Sequence, residues 1–171
     1  MHSRNYDLYN QYYDFYTPVF QNNNQYKDIE LINLNEAIEL IKNSINDELE
    51  DELFYNELIN NAPSEIEKEI IKDIRNDERE HNKILRNLYF QFTGKKIPFD
   101  ELVKSYNKSL NYKEGIEKAF FGELNAVVKY RKILGTMPSG ENYTLLMSIM
   151  TDELIHANKY NYLINKLNIV N

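Results

Sequence analysis

Four glutamates and two histidines recur in this chain at one fixed offset. Glu48, Glu78 and His81 are answered by Glu123, Glu153 and His156, each 75 residues further on. Each histidine stands three residues after a glutamate, in Glu78-Arg79-Glu80-His81 and Glu153-Leu154-Ile155-His156, and the chain has only 3 histidines. On a helix, residues three apart share a face and can reach one metal ion or two adjacent ions. The sequence has no cysteine, which excludes disulfides, thiolate nucleophiles and thiolate-held iron-sulfur or rubredoxin-type centres; oxygen and nitrogen ligands are what remains. Four carboxylates balance two divalent ions. The pattern points to a two-metal site inside a helix bundle.

Such a site needs elements that point all six side chains inward. Apolar residues return at helical spacing in four stretches: about Asn35 to Asn61, Ser64 to Phe92, Tyr112 to Gly135 and Glu141 to Leu167. No strand pattern competes, so the fold class is all-α, a four-helix bundle. Ser64 and Glu67 have the spacing of a capping box at the start of the second helix, and Gly94 with Pro98 marks its end. Glu48 lies seven residues after Ile41 and seven before Tyr55; Glu78 stands between Ile71 and Leu85, and His81 between Ile74 and Leu88. Glu123 stands between Ile116 and Tyr130, Glu153 between Leu146 and Tyr160, and His156 between Ile149 and Leu163. All six therefore occupy core positions. Unpaired buried carboxylates would cost several kcal/mol each unless protonated or bound to a cation.

The turns supply the register. Pro63-Ser64 joins the first two helices and Pro138-Ser139 the last two, again 75 residues apart. Pro63 is midway between Glu48 and Glu78, and Pro138 midway between Glu123 and Glu153. Two antiparallel helices folded about such a turn bring those glutamates to one height, about 22 Å away at 1.5 Å per residue. The expected architecture is two repeated helical hairpins, up and down, with one longer crossover from about Gly94 to Asn111, where a short helical turn fits.

Composition bounds the rest. A chain of 171 residues is one domain of ordinary size. A net charge of −7 and a pI near 5.1 argue against nucleic acid or an anionic membrane surface as partners. No apolar run approaches the roughly 20 residues that span a bilayer, and the polar start is no signal peptide, so the cytoplasm is the expected compartment. Residues 1–33 are rich in Tyr, Asn and Gln and show neither period. They read as a mobile tail or as a tyrosine-bearing arm docked on a partner. The metal domain is assigned to residues 34–171.

With those motifs in place, the chain resembles the ferritin-like di-iron carboxylate superfamily, and within it rubrerythrin-type proteins that lack a rubredoxin domain. The likeness spans about Asn35 to Leu167 and extends to Asp47-Glu48-Leu49-Glu50-Asp51-Glu52-Leu53-Phe54-Tyr55 and Gly122-Glu123-Leu124-Asn125-Ala126. It implies two iron ions, with Glu78 and Glu153 bridging, Glu48 and Glu123 terminal, and His81 and His156 giving one nitrogen to each ion; manganese or a mixed pair suits the same donors. Asp77 and Asp152 would accept from the outer ring nitrogen of a ligand histidine. Glu52, on the stripe between Ile45 and Ile59, is a candidate extra ligand or gating carboxylate, and otherwise a partly exposed acid. Tyr55 and Tyr130, two turns from Glu48 and Glu123, are placed to hydrogen-bond a ligand carboxylate or to pack in the core.

Three functions follow as expectations. The first is an oxidoreductase that reduces hydrogen peroxide or dioxygen and is re-reduced by an external electron donor. The second is a ferroxidase that handles iron. The third is a structural, coat-like assembly protein with a residual metal site and the tail as contact element. A homodimer is left open.

Overall fold

The computed structural model describes residues 32–98 and 110–169, within the compact unit Leu31–Asn171. Both the tail at residues 1–33, apart from Ile32 and Asn33, and most of the crossover lie outside the described residues. Among the described residues four helices follow in order: α1 Leu34–Asn61, α2 Glu65–Thr93, α3 Tyr112–Leu134 and α4 Glu141–Ile169. No strand occurs among the described residues, and none of these helices is long and apolar enough to cross a membrane.

Local chemistry sets the helix ends. Asn33 caps α1 in a reciprocal box: its Oδ1 accepts from Glu36 N at 3.0 Å, and Glu36 Oε2 accepts from Asn33 N at 2.9 Å. Asn111 caps α3 by accepting from Glu114 N at 3.0 Å. The box expected at Ser64 and Glu67 is only half formed. Ser64 Oγ accepts from Glu67 N at 3.4 Å, but the Glu67 carboxylate does not turn back; it lies buried, 3.0 Å from Lys166 Nζ near the end of α4. An ion pair in a desolvated position outcompetes a local cap. Gly94 ends α2 at φ 67, a left-handed conformation that glycine adopts without steric cost.

α1 packs along α2 and α3 along α4; the two hairpins meet through α1 against α3 and α2 against α4. Cross-hairpin pairs fix the directions. As residue number rises from Glu48 to Tyr55 on α1, its partner on α3 falls from Tyr130 to Glu123. On α2 and α4 the pairs Asp77–His156 and His81–Asp152 run oppositely in the same way. Since α1 is antiparallel to both α2 and α3, the latter two are parallel, the arrangement that a longer crossover serves.

The core divides in two. One cluster holds Ile41, Ile45, Leu85, Leu88, Ile133, Leu146 and Ile149; the other holds Phe54, Leu58, Ile71, Ile74, Ile116 and Leu163. On every helix the six expected metal ligands fall between these clusters. A polar layer is thus sealed above and below by apolar side chains, where water cannot solvate its charges.

Candidate metal centre

All six side chains are buried, none more than 3 % exposed: Glu48, Glu78, His81, Glu123, Glu153 and His156. They form two overlapping groups. Glu48, Glu78, His81 and Glu153 each offer a donor atom within 4.8 Å of the others, and so do Glu78, Glu123, Glu153 and His156. Glu78 and Glu153 belong to both groups.

Each imidazole aims Nδ1 at carboxylates. His81 Nδ1 lies 3.0 Å from Glu78, 3.2 Å from Glu153 and 3.8 Å from Glu48. His156 Nδ1 lies 3.1 Å from Glu78, 3.7 Å from Glu123 and 3.8 Å from Glu153. The outer nitrogens face acids on the other hairpin: His81 Nε2 is 3.4 Å from Asp152, and His156 Nε2 is 3.1 Å from Asp77. With the proton on Nε2, each aspartate accepts it and leaves the Nδ1 lone pair facing the centre.

The tyrosines also cross. Tyr55 OH on α1 donates to Glu123 Oε1 on α3 at 2.6 Å, and Tyr130 OH on α3 donates to Glu48 Oε1 on α1. Each hairpin therefore orients the unshared glutamate and the histidine of the other. This reciprocity turns two sequence repeats into one centre.

The protonation pattern follows from crowding in a dry layer. Burial opposes ionising Glu78 and Glu153, as does their mutual repulsion in the case of Glu78, yet contacts to both histidines outweigh this and keep both acids below the ordinary carboxylate range. Burial also opposes charging the imidazoles. Contacts to Glu123, Glu153 and Glu78 overcome it and raise His156 to about 12; His81 is raised as well, by Glu153, Glu48 and Glu78. Glu48 and Glu123 are pushed well up, first by burial, with the charges of Glu78 and Glu153 adding to it. Protons thus stand where cations would.

These donors fit two metal ions. Among the described residues, Glu78 Oε1, Glu153 Oε1 and His156 Nδ1 are buried and make no well-formed hydrogen bond; they meet other side chains of the cluster, Glu78 Oε1 facing His156 Nδ1 at 3.1 Å and Glu153 Oε1 facing His81 Nδ1 at 3.2 Å, so loss of the imidazolium protons leaves their lone pairs to cations. Donors bound at about 2.1 Å around one octahedral ion stand about 3 Å apart, close to the 3.0–3.2 Å separations at the shared glutamates.

Glu52 does not join the cluster. Its Oε1 accepts from Arg79 Nε at 2.7 Å, on the side of α1 that meets α2. The preceding residue, Asp51, was not singled out by the apolar stripe, yet it is the acid that senses the centre. Burial first, then the charges of Glu78 and Glu153, push its carboxyl up to about 8, while Lys129 pulls the other way. Its signal in the sequence was the three-residue step from Glu48, the step that also links each ligand histidine to its glutamate.

Comparison with known proteins adds a family and a fold. The family model described as Rubrerythrin matches residues 39–164. No curated protein matches the chain. Among solved structures, a hypothetical protein from Pyrococcus furiosus is similar at 24% identity, over 75% of this chain and 88% of that chain, with a TM-score of 0.65. That likeness shows the fold.

Proposed function

The chain belongs to the Rubrerythrin family, and from that premise we propose that its buried centre holds two iron ions and reduces hydrogen peroxide or dioxygen with electrons from an external donor. The observation that carries the reading is the sharing of Glu78 and Glu153 between two four-residue donor groups, each completed by one histidine and one further glutamate. When bound, a pair of Fe(II) ions supplies two electrons for reduction of the oxidant.

The chain's own residues do the rest. Glu78 and Glu153 would hold both ions, Glu48 and His81 one of them, and Glu123 and His156 the other. Tyr130 and Tyr55 fix the terminal glutamates through their hydroxyls. Asp152 and Asp77 hold the imidazole rings so that Nδ1 faces inward. The apolar clusters on either side keep bulk water from the layer and strengthen every charge interaction within it.

The test is anaerobic loading of the purified chain with Fe(II), then parallel mixing with hydrogen peroxide and with air while metal oxidation is followed. The reading expects about two Fe(II) oxidised per chain and restoration by an added reductant. Oxidation of many Fe(II) per chain with iron retained would identify an iron-handling protein. Inertness to both oxidants would leave an assembly role.

A further inference from the structure

Asp51 lies three residues after Glu48 and four before Tyr55, so the three share the face of α1 that meets α3. On that seam Glu48 accepts from Tyr130, and Tyr55 donates to Glu123. Glu48 and Tyr55 are buried, whereas Asp51 is half-buried. Its carboxylate therefore stands between the closed layer and solvent. The repeat that pairs Glu48 with Glu123 and Tyr55 with Tyr130 puts Ala126 in the position corresponding to Asp51, so only one of the two hairpins carries an acid there.

Its neighbours along α1 are already engaged: Asp47 takes Lys129 at 2.7 Å across the same seam, and Glu52 takes Arg79 on the side that meets α2. The titratable and charged groups that act on Asp51 or respond to it include Asp47 and Tyr55 of its own helix, Glu78 of α2, Lys129 of α3, and Glu153 and Tyr160 of α4.

We infer that Asp51 carries protons from solvent through the α1–α3 seam to the metal centre. The inference rests on the reductase reading above. In that reaction two Fe(II) become Fe(III), and the oxidant gains their two electrons together with two protons. Hydrogen peroxide loses its O–O bond and gives two waters; dioxygen gives hydrogen peroxide. The protons must enter a sealed layer in which the Tyr130 and Tyr55 hydroxyls are committed to Glu48 and Glu123, while the buried Tyr160 hydroxyl beside Tyr55 makes no well-formed hydrogen bond. A half-buried acid at the seam can take a proton from water and pass it inward, a transfer worth typically 100- to 10,000-fold, about, in rate. Burial, the largest influence on its carboxyl, persists when metal ions compensate Glu78 and Glu153.

The test compares wild type, Asp51→Asn and Asp51→Glu as full chains, with metal content measured before Fe(II)-loaded samples meet peroxide in a stopped-flow instrument. Asp51→Asn is expected to hold wild-type metal, to oxidise roughly a hundredfold more slowly, to lose the wild-type pH dependence and to regain rate with added acetic acid. Asp51→Glu is expected to stay within a few-fold of wild type. A wild-type rate and pH profile in Asp51→Asn overturns the inference and leaves the reductase reading intact, and so does a loss of metal from that variant, which would make Asp51 part of the metal site. A wild-type centre inert to peroxide and air overturns both. Infrared spectroscopy of the redox-inert Zn(II)-loaded chain gives a readout without turnover. At about pH 6, where exposed aspartates have ionised, a protonated-carboxyl band present in wild type and absent from Asp51→Asn is expected; a band unchanged by the substitution, or absent from wild type, overturns the inference.

Discussion

Loading two divalent ions at neutral pH should expel about four protons from each chain. Without metal, the layer balances its charge internally: Glu78 and Glu153 are ionised, His81 and His156 are imidazolium, and Glu48 and Glu123 are carboxylic acids. Two carboxylates against two imidazolium ions leave no net charge. With two divalent ions in place, all four glutamates must ionise and both Nδ1 atoms must bear lone pairs. Four negative charges then meet four positive ones, and the layer is neutral again. The difference is two imidazolium protons and two carboxyl protons. Apparent affinity for the metal pair should accordingly rise with pH by up to about four powers of ten per unit. Calorimetric titration with Zn(II) in buffers of different ionisation enthalpy measures the number directly, and Glu48→Gln should reduce it to about three. Release of one proton or none would refute the reasoning, because the layer would then hold open, ionised carboxylates before metal arrives.

Three further outcomes follow. The metal-free chain should melt at a lower temperature at pH 8 than at pH 6. Asp51, raised to about 8, with Glu48 and Glu123, also raised, takes up protons on folding, and His156, raised to about 12, keeps its proton above the unfolded imidazole range. The native state thus binds more protons than the unfolded one, and stability is lost as pH rises through this window; a melting point that climbs from pH 6 to pH 8 would contradict it. Asp77→Asn should weaken metal binding about 10- to 100-fold by freeing the His156 ring, whereas Glu52→Gln should leave it unchanged and alter stability by less than about 1 kcal/mol, as the Glu52–Arg79 pair is partly exposed. Competition with a metal chelator separates those two. Glu78→Ala should cost occupancy at both metal positions, since Glu78 belongs to both donor groups, and His156→Ala chiefly at one; elemental analysis giving full occupancy in both variants would defeat the ligand assignment.

The parts of this centre that lay open in the sequence are those set by period and by turn position. The seven-residue intervals around Glu48, Glu78 and Glu153 required burial of those acids, and Pro63 and Pro138 gave their height, because both follow from helix geometry alone. Partnership between hairpins did not follow. That Tyr55 would serve Glu123 and not its helix neighbour Glu48 depends on the register of α1 against α3, which no local pattern encodes. The same limit explains Glu52 and Asp51. Three and four residues beyond Glu48 are equal neighbours on an isolated helix; the packing of α1 against both α2 and α3 sends Glu52 to Arg79 and leaves Asp51 at the α3 seam. At Ser64 and Glu67 a capping pattern was correct for the serine and wrong for the acid, since Lys166 arrives from the far end of the chain.

Crystals of the chain soaked anaerobically with Fe(II) and measured at the iron absorption edge would locate the ions directly. Two anomalous peaks are expected between Glu78 and Glu153, one beside His81 Nδ1 and Glu48, the other beside His156 Nδ1 and Glu123. A single peak, or iron bound elsewhere with this layer still protonated, would contradict the two-ion centre.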